Sequence, residues 1–162
     1  MTLADVAEQV LVWERGGTPE NSIRERLHTY NDLYHEHLPI LREVDLEIRV
    51  VAYQWGWEFR YPEANVTTRT RLVIPVDTDV RFVTTSRDVI HLLFVPDLGV
   101  KQDAFPGHET VARTRATETG EYRLYCAELC GAGHARMHGT VDVRNGTAYR
   151  AWLERQSTPS TG

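Results

Sequence analysis

Sulfur and long apolar runs are both scarce in this chain. Of its 162 residues, two are cysteine and two are methionine. The best apolar runs, residues 10–13 and 92–95, fall far short of the roughly 20 apolar residues that a membrane helix needs. The first residues also lack the basic start and apolar middle of a signal peptide. As written, the chain is therefore expected to be soluble.

An excess of positive charge is also missing. The chain has 18 lysines and arginines against 23 acidic residues, for a net charge of -5 and a pI near 5.8. This balance argues against nucleic-acid binding as the main role, and it leaves room for a basic protein partner. No nucleophile–base pair is apparent, so we do not expect catalysis by this chain alone. The apolar fraction of 41% is ordinary for a globular domain with one core.

The periodicity of apolar side chains divides the chain in two. Residues 3–38 have apolar side chains at helical spacing, interrupted at Gly16–Pro19, and this predicts a helical hairpin. The following residues favour short strands of a β-sandwich or Greek-key barrel, and residues 148–156 favour a short terminal helix. The strand candidates are residues 50–61, 70–76, 80–86, 90–95, 109–116, 120–125 and 139–143. Within residues 50–61 the alternation predicts one face formed by Val51, Tyr53, Trp55, Trp57, Phe59 and Tyr61.

Residues 126–137 hold both cysteines, one of the seven histidines and one of the two methionines, in the sequence CAELCGAGHARM. Thiolate, thioether and imidazole donors select copper, zinc or iron–sulfur over magnesium or calcium. Cys130, His134 and Met137 suit a blue-copper site completed by a second imidazole, for which His91 is a candidate. Cys126 supplies a further thiolate. Two bridging thiolates can hold two copper ions, with one imidazole each and two weak ligands, Met137 and the backbone carbonyl of Glu128.

The residues alone leave simpler alternatives open. Cys126 and Cys130 could form a disulfide. Together with His134, and His138 or His91, they could instead bind zinc, although Met137 would then have no purpose. Trp55 has a plain reading as a core residue on an aromatic strand face. Asp88 could orient the imidazole of His91 or serve only as a turn residue.

The loop resembles a known family. Its pattern of Cys126, Glu128, Cys130, His134 and Met137 is similar to the dinuclear copper (CuA) loop of cytochrome c oxidase subunit II. Three earlier segments resemble the same family in the same order, and the resemblance spans about residues 44–156. These segments are residues 52–59 (AYQWGWEF), 86–91 (SRDVIH) and 95–107 (VPDLGVKQDAFPG).

The resemblance implies a cupredoxin-like Greek-key barrel on the extracytoplasmic face of a respiratory membrane. A dinuclear copper centre would accept electrons from cytochrome c or a small copper protein and pass them to haem in oxidase subunit I. Carried over by position, the side-chain ligands are His91, Cys126, Cys130, His134 and Met137, and Glu128 binds through its backbone oxygen. The resemblance also implies that electrons arrive at Trp55. It further implies that the Glu128 carboxylate faces a magnesium ion, but only in complex with subunit I.

The sequence departs from this family at its start, where the usual two membrane helices are absent. We therefore expect residues 1–43 to be a remnant or replacement of the anchor region, and we favour engineered removal of the spans over a natural soluble variant. Residues 44–156 would form the copper domain and residues 157–162 a tail. Two alternative functions are a CuA domain related to nitrous oxide reductase and a structural zinc or disulfide module that binds a protein partner.

Overall fold

Residues 44–157 are described by a computed structural model, and most of their regular structure is β-strand. Ten strands form two five-stranded sheets. The first sheet has the strand order β3-β2-β1-β5-β8, and the second has the order β4-β10-β9-β6-β7. The predicted helical hairpin and residues 158–162 lie outside the described residues.

Each sheet contains one parallel pair among antiparallel neighbours. In the first sheet β1 runs parallel to β5, and in the second β4 runs parallel to β10. The first sheet comprises β1 (Leu46–Tyr53), β2 (Gly56–Tyr61), β3 (Val66–Arg69), β5 (Val80–Ser86) and β8 (Thr110–Thr114). The second comprises β4 (Arg71–Pro75), β6 (His91–Val95), β7 (Val100–Ala104), β9 (Gly120–Cys126) and β10 (His138–Arg144).

The core lies between the two sheets, because alternate side chains of each strand turn inward. Its largest fully buried members include Trp57, Phe59, Phe82, Leu72, Ile74, Leu93 and Leu124. One helix, α1 (Gly146–Ser157), follows β10 and buries Tyr149 and Trp152. The ring of Trp152 meets that of Tyr61 edge to face, with centroids 5.3 Å apart. The all-β prediction and the terminal helix are thus confirmed, although α1 includes Ser157, which was assigned to the tail.

A buried tyrosine links the two sheets. The hydroxyl of Tyr61 on β2 donates to the carbonyl of Val73 on β4 at 2.9 Å and accepts from the Val73 amide at 2.8 Å. Burial raises the pKa of Tyr61 well above its ordinary value. The hydroxyl therefore stays neutral, and its two hydrogen bonds satisfy polar groups that the core would otherwise leave unpaired.

The prediction of one continuous strand over residues 50–61 is wrong. The chain reverses at Gln54 and Trp55, joined by a cis peptide bond, so that Tyr53 pairs with Gly56 across a two-residue turn. After such a turn, odd-numbered residues face the core in one strand and even-numbered residues face it in the other. Trp57 and Phe59 point inward as predicted. Val51 and Tyr53 lie on the opposite face of the sheet, where Val51 is still buried, and Trp55 lies in the turn.

Sequence periodicity also missed strands β3 and β7. β7 places Lys101, Gln102 and Asp103 in succession, so it lacks the alternation of a half-buried strand. It lies at the edge of the second sheet, where polar and charged side chains are tolerated. Within residues 44–157, no helix is long and apolar enough to cross a membrane.

Candidate metal centre

Two free cysteines lie close together at one end of the sandwich. Cys126 is the last residue of β9, and Cys130 belongs to the loop that connects β9 to β10. Both side chains are buried, and their sulfurs are 3.7 Å apart. The Cys126 amide donates to the carbonyl of Met137 at 2.9 Å, which closes the loop just before β10 begins. The antiparallel β9–β10 pair therefore fixes both ends of the loop.

Each sulfur has its own imidazole and its own weak donor. The Cys126 sulfur lies 3.8 Å from Nδ1 of His91 and 3.2 Å from the carbonyl oxygen of Glu128. The Cys130 sulfur lies 3.6 Å from Nδ1 of His134 and 3.7 Å from the sulfur of Met137. The structure thus brings together the six residues of the predicted copper ligand set in two matching halves.

A tight turn places the last two donors beside Cys130. Gly131 has a φ of 111°, in the left-handed region that favours glycine. A short 3-10 helix then spans His134–Arg136, and the amide of Met137 donates to the carbonyl of His134 at 3.0 Å. This winding brings His134 and Met137 back towards the thiol of Cys130.

Asp88 holds His91 from the side away from the sulfurs. Its Oδ1 atom is 2.8 Å from Nε2 of His91, and its Oδ2 atom accepts from the Gln54 amide at 2.7 Å. Burial tends to raise the pKa of Asp88, but hydrogen bonds from the Gln54 amide, the His91 ring and the Val89 amide hold it below its ordinary value. A carboxylate behind an imidazole fixes the ring orientation and leaves the other nitrogen free to bind. Of the two readings of Asp88, the structure supports the orienting one.

Trp55 contacts the loop instead of the core. Its indole N–H donates to the carbonyl of Cys130 at 3.1 Å, and the side-chain amide of Gln54 donates to the same oxygen at 2.8 Å. A Cβ atom on Gly133 would overlap the Trp55 ring, so the ring lies directly on the loop backbone. Trp55 is 39% exposed and therefore joins the surface to Cys130. Sequence reasoning missed Gln54 and Gly133, because their roles depend on a contact between distant segments.

The burial of the thiols shows how the site suits a soft metal ion. Burial, with a further contribution from Cys126, raises the pKa of Cys130 to about 12. The thiol is therefore protonated at neutral pH until a cation displaces the proton. His91, Cys126 and Cys130 form the group of possible metal donors found among residues 44–157, with donor atoms within 4.8 Å of one another. Sulfur and imidazole donors fit copper, and they fit magnesium or calcium poorly.

The surface around the buried donors is partly apolar. Leu129 is 77% exposed, and the side chain of Glu128 is also exposed while its carbonyl oxygen faces Cys126. His108 is exposed, and so is His138, which the sequence offered as an alternative zinc donor. The surface at this end of the domain therefore presents Leu129, the Glu128 carboxylate and the Trp55 ring.

A β-sandwich with soft donors clustered in one loop defines the cupredoxin-like class of copper proteins. Residues 65–143 match the family described as the periplasmic domain of cytochrome c oxidase subunit II. The crystal structure of that domain from Bradyrhizobium japonicum has 30% sequence identity and a TM-score of 0.68, and the match covers 70% of this chain and 94% of that one. The chain belongs to the cytochrome c oxidase subunit II family, and its fold is cupredoxin-like.

Relatives among curated proteins agree with this membership. The chain is 36% identical over 138 residues to a probable cytochrome c oxidase subunit 2 of Rickettsia prowazekii, covering 72% of this chain and 44% of the relative. It is 38% identical over 117 residues to the Thermostichus vulcanus cytochrome c oxidase subunit 2, covering 72% of this chain and 35% of the relative. The chain thus spans half or less of these relatives' lengths. Residues 1–54 separately match a domain of unknown function, DUF7344.

Proposed function

We propose that this chain is an electron-transfer subunit of a haem–copper oxidase and that its loop holds a dinuclear copper centre. One observation carries the proposal: two free, buried sulfurs lie 3.7 Å apart, each with one imidazole and one weak donor. The ligands would be His91, Cys126, Cys130, His134 and Met137, with Glu128 binding through its carbonyl. Bound copper would supply reversible one-electron chemistry.

The residues of the chain would keep this site rigid and dry. His91 begins β6 and is held by Asp88, while Cys126 ends β9 and is tied to Met137 by a backbone hydrogen bond. Burial of His91 and both cysteines excludes water from the centre of the site. Because protein groups supply all six donors, no position remains for a substrate, which favours electron transfer over catalysis at this site.

Electrons would arrive through Trp55. Its ring is partly exposed, and its N–H donates to the carbonyl of Cys130. This contact offers a short route from the surface to a proposed copper ligand. The donor would be cytochrome c or a small copper protein.

The proposed assembly lies on the extracytoplasmic face of a respiratory membrane, where electrons pass on to haem in subunit I. The exposed carboxylate of Glu128 would face subunit I and help to bind magnesium only in that complex. Residues 44–156 would form the copper domain. The role of residues 1–43 as a remnant or replacement of the anchor stays a prediction.

Metal analysis tests the proposal. We expect the chain, reduced and incubated with copper, to bind two copper ions and to show an electron paramagnetic resonance signal spread over both nuclei. Cys126→Ser should abolish that signal, because one of the two bridging sulfurs is lost. Wild-type protein loaded with zinc serves as the spectroscopic blank.

One bound zinc ion, or no metal and a Cys126–Cys130 disulfide, would instead support a structural module. An unchanged dinuclear signal in Cys126→Ser would show that Cys126 is not a bridging ligand.

A further inference from the structure

The outward face of the first sheet concentrates positive charge. Strand register and ion pairs place three glutamates there, Glu47, Glu58 and Glu109. Six arginines lie on the same face, which we call the arginine face: Arg49, Arg60, Arg69, Arg81, Arg87 and Arg113. The face therefore has an excess of three positive charges, whereas the whole chain has a net charge of -5.

Two pairs of these arginines lie directly opposite each other on neighbouring strands. Arg49 pairs with Arg60 between β1 and β2, and Arg81 pairs with Arg113 between β5 and β8. Like charges directly opposite each other in a sheet lower its stability. Glutamates offset part of this repulsion, since Arg49 lies 2.7 Å from Glu109 and Arg81 lies 3.7 Å from Glu47. Because arginines outnumber glutamates on the face by three, an anionic partner would lower the repulsion that remains.

The outward face of the second sheet is arranged differently. Asp142 on β10 lies between Arg71, at 3.0 Å, and Arg144, at 2.6 Å. In the strand register, the uncharged Thr140 separates Arg71 from Arg123. Among the described strands of the second sheet, no two arginines lie directly opposite each other, which distinguishes that sheet from the arginine face.

Five of the six arginine side chains are well exposed. Their exposure ranges from 39% for Arg81 to 70% for Arg69, whereas Arg113 is half-buried. Glu58, in contrast, is buried beneath them and cannot meet a partner. Of the 18 basic residues, all but Lys101 are arginine, and a planar guanidinium can pair with a carboxylate through two parallel hydrogen bonds.

The arginine face adjoins Trp55. The guanidinium of Arg87 lies 5.3 Å from the ring centroid of Tyr53, and its backbone amide donates to the carbonyl of Ala52 at 2.9 Å. Tyr53 directly precedes the turn that contains Gln54 and Trp55. A partner on this face would therefore lie beside the exposed indole ring.

We propose that the arginine face binds an acidic redox protein, whose carboxylates pair with these guanidinium groups and whose redox centre faces Trp55. The inference rests on the proposed function, because it assigns the chemistry of the electron donor. The overall acidity of the chain leaves room for a basic partner, whereas the charge of this face favours an acidic one. A lipid surface fits less well, since lipid on this face would cover Trp55.

The test uses the full chain, a double variant and a control with the same change in charge. Arg49→Gln with Arg81→Gln removes one member of each opposed pair. Arg150→Gln with Arg155→Gln removes two charges from exposed positions on α1. Plastocyanin serves as the acidic probe and cytochrome c as the basic probe. Binding to the metal-free chain is measured by NMR, and reduction of the copper-loaded chain by stopped flow, both across a range of salt concentrations.

We expect plastocyanin to shift NMR signals of the first sheet and to bind roughly tenfold more weakly to the arginine-face variant at low salt. The control variant should bind like the wild type, and salt should weaken binding to both. The arginine-face variant should lose little thermal stability, because the exposed ion pairs of Arg49 with Glu109 and of Arg81 with Glu47 contribute little and the repulsion between opposed arginines is relieved.

Tighter binding of cytochrome c, or an equal loss in both variants, would overturn the inference. So would binding of phosphatidylserine vesicles through the same arginines in preference to plastocyanin. Binding of plastocyanin to the first sheet of a chain that forms no copper pair would refute the proposed function but keep the acidic partner.

Discussion

Two clusters of buried polar groups in this domain differ in whether the chain itself supplies their partners. The carboxylate of Glu58 is 4% exposed and receives hydrogen bonds from Arg60 at 2.8 Å and Arg87 at 2.7 Å. Within residues 44–157, the buried thiols of Cys126 and Cys130 have no arginine or lysine partner. The Cys126 sulfur lies 3.2 Å from the carbonyl oxygen of Glu128, and the contacts of the two sulfurs with imidazole nitrogens are 3.6–3.8 Å long. The first cluster is completed by the chain itself, and the second requires something from outside.

The pKa values express the same difference. Burial tends to raise the pKa of Glu58, but its arginine hydrogen bonds and their charges lower it below the ordinary value. Burial, with a further contribution from the neighbouring Cys126 thiol, raises the pKa of Cys130 to about 12. A buried acid with a lowered pKa is already paired, whereas a buried thiol with a raised one is suited to a metal that takes the place of its proton.

Removing the Glu58 carboxylate is the strongest test of this difference between the two clusters. Glu58→Gln should lower the free energy of unfolding by about 1–3 kcal/mol, because it replaces charge-assisted hydrogen bonds from Arg60 and Arg87 with weaker neutral ones, while both guanidinium groups stay in contact with water. Copper binding should be unaffected. Chemical denaturation of the metal-free chain measures the loss, and copper analysis measures the retained site.

Glu121→Gln is the matched control for that variant. Glu121 binds Arg71 at 2.8 Å, but both side chains are well exposed. Its loss should cost less than about 1 kcal/mol. Equal losses in the two variants would mean that burial gives Glu58 no special weight.

Acid titration of the wild type and of Glu58→Gln tests whether the Glu58 carboxylate stabilises the fold in its charged form. The folded pKa of Glu58 lies below its ordinary value of 4.5, so its stabilising contribution is fully present above that value. The contribution is lost as the pH falls through the lowered folded pKa. The stability difference between wild type and Glu58→Gln should therefore be constant near neutral pH and shrink below about pH 4.5. A difference that grows on acidification would contradict this assignment.

The sequence predicted these two clusters with unequal success. Cys126, Cys130, His134 and Met137 share one short loop, so their spacing revealed the donor set before any fold was known. Glu58 was expected on the polar face of a strand, yet it is buried beneath arginines from β2, β3 and the turn after β5. Local periodicity cannot show which distant side chains will cover a strand face.

The support around the donors was hidden for the same reason. The contacts of Gln54 and Trp55 with the carbonyl of Cys130 join residues 75 or more positions apart. The two-residue turn that makes them possible lies inside a segment whose alternation predicted one strand. Only the sheet topology brings that turn onto the loop.

A substitution at Gly133 tests this support without touching a proposed ligand. Its backbone angles, φ -96° and ψ 6°, are open to other residues, so the Trp55 ring is what excludes a side chain. Gly133→Ala should displace the ring and cost about 1–2 kcal/mol. Two copper ions should still bind, but reduction by an added donor should slow.

Gly120→Ala is the control, because the nearest atom to its added Cβ is 3.6 Å away, an ordinary contact. Tryptophan fluorescence reports the exposure of the ring, and stopped-flow reduction reports the route. Normal reduction with a displaced ring would exclude Trp55 as the point where electrons arrive.

The smallest change should come from Met137→Leu, which separates weak ligands from bridging ones. Met137 is buried 3.7 Å from the sulfur of Cys130, and leucine has a similar volume, so the metal-free chain should lose less than about 1.5 kcal/mol. Both coppers should remain, since each keeps two thiolates and one imidazole. The reduction potential should shift, because weak ligands tune the metal without anchoring it. Redox titration of the spectrum measures the shift, and loss of one copper would show that Met137 anchors the centre as strongly as the cysteines do.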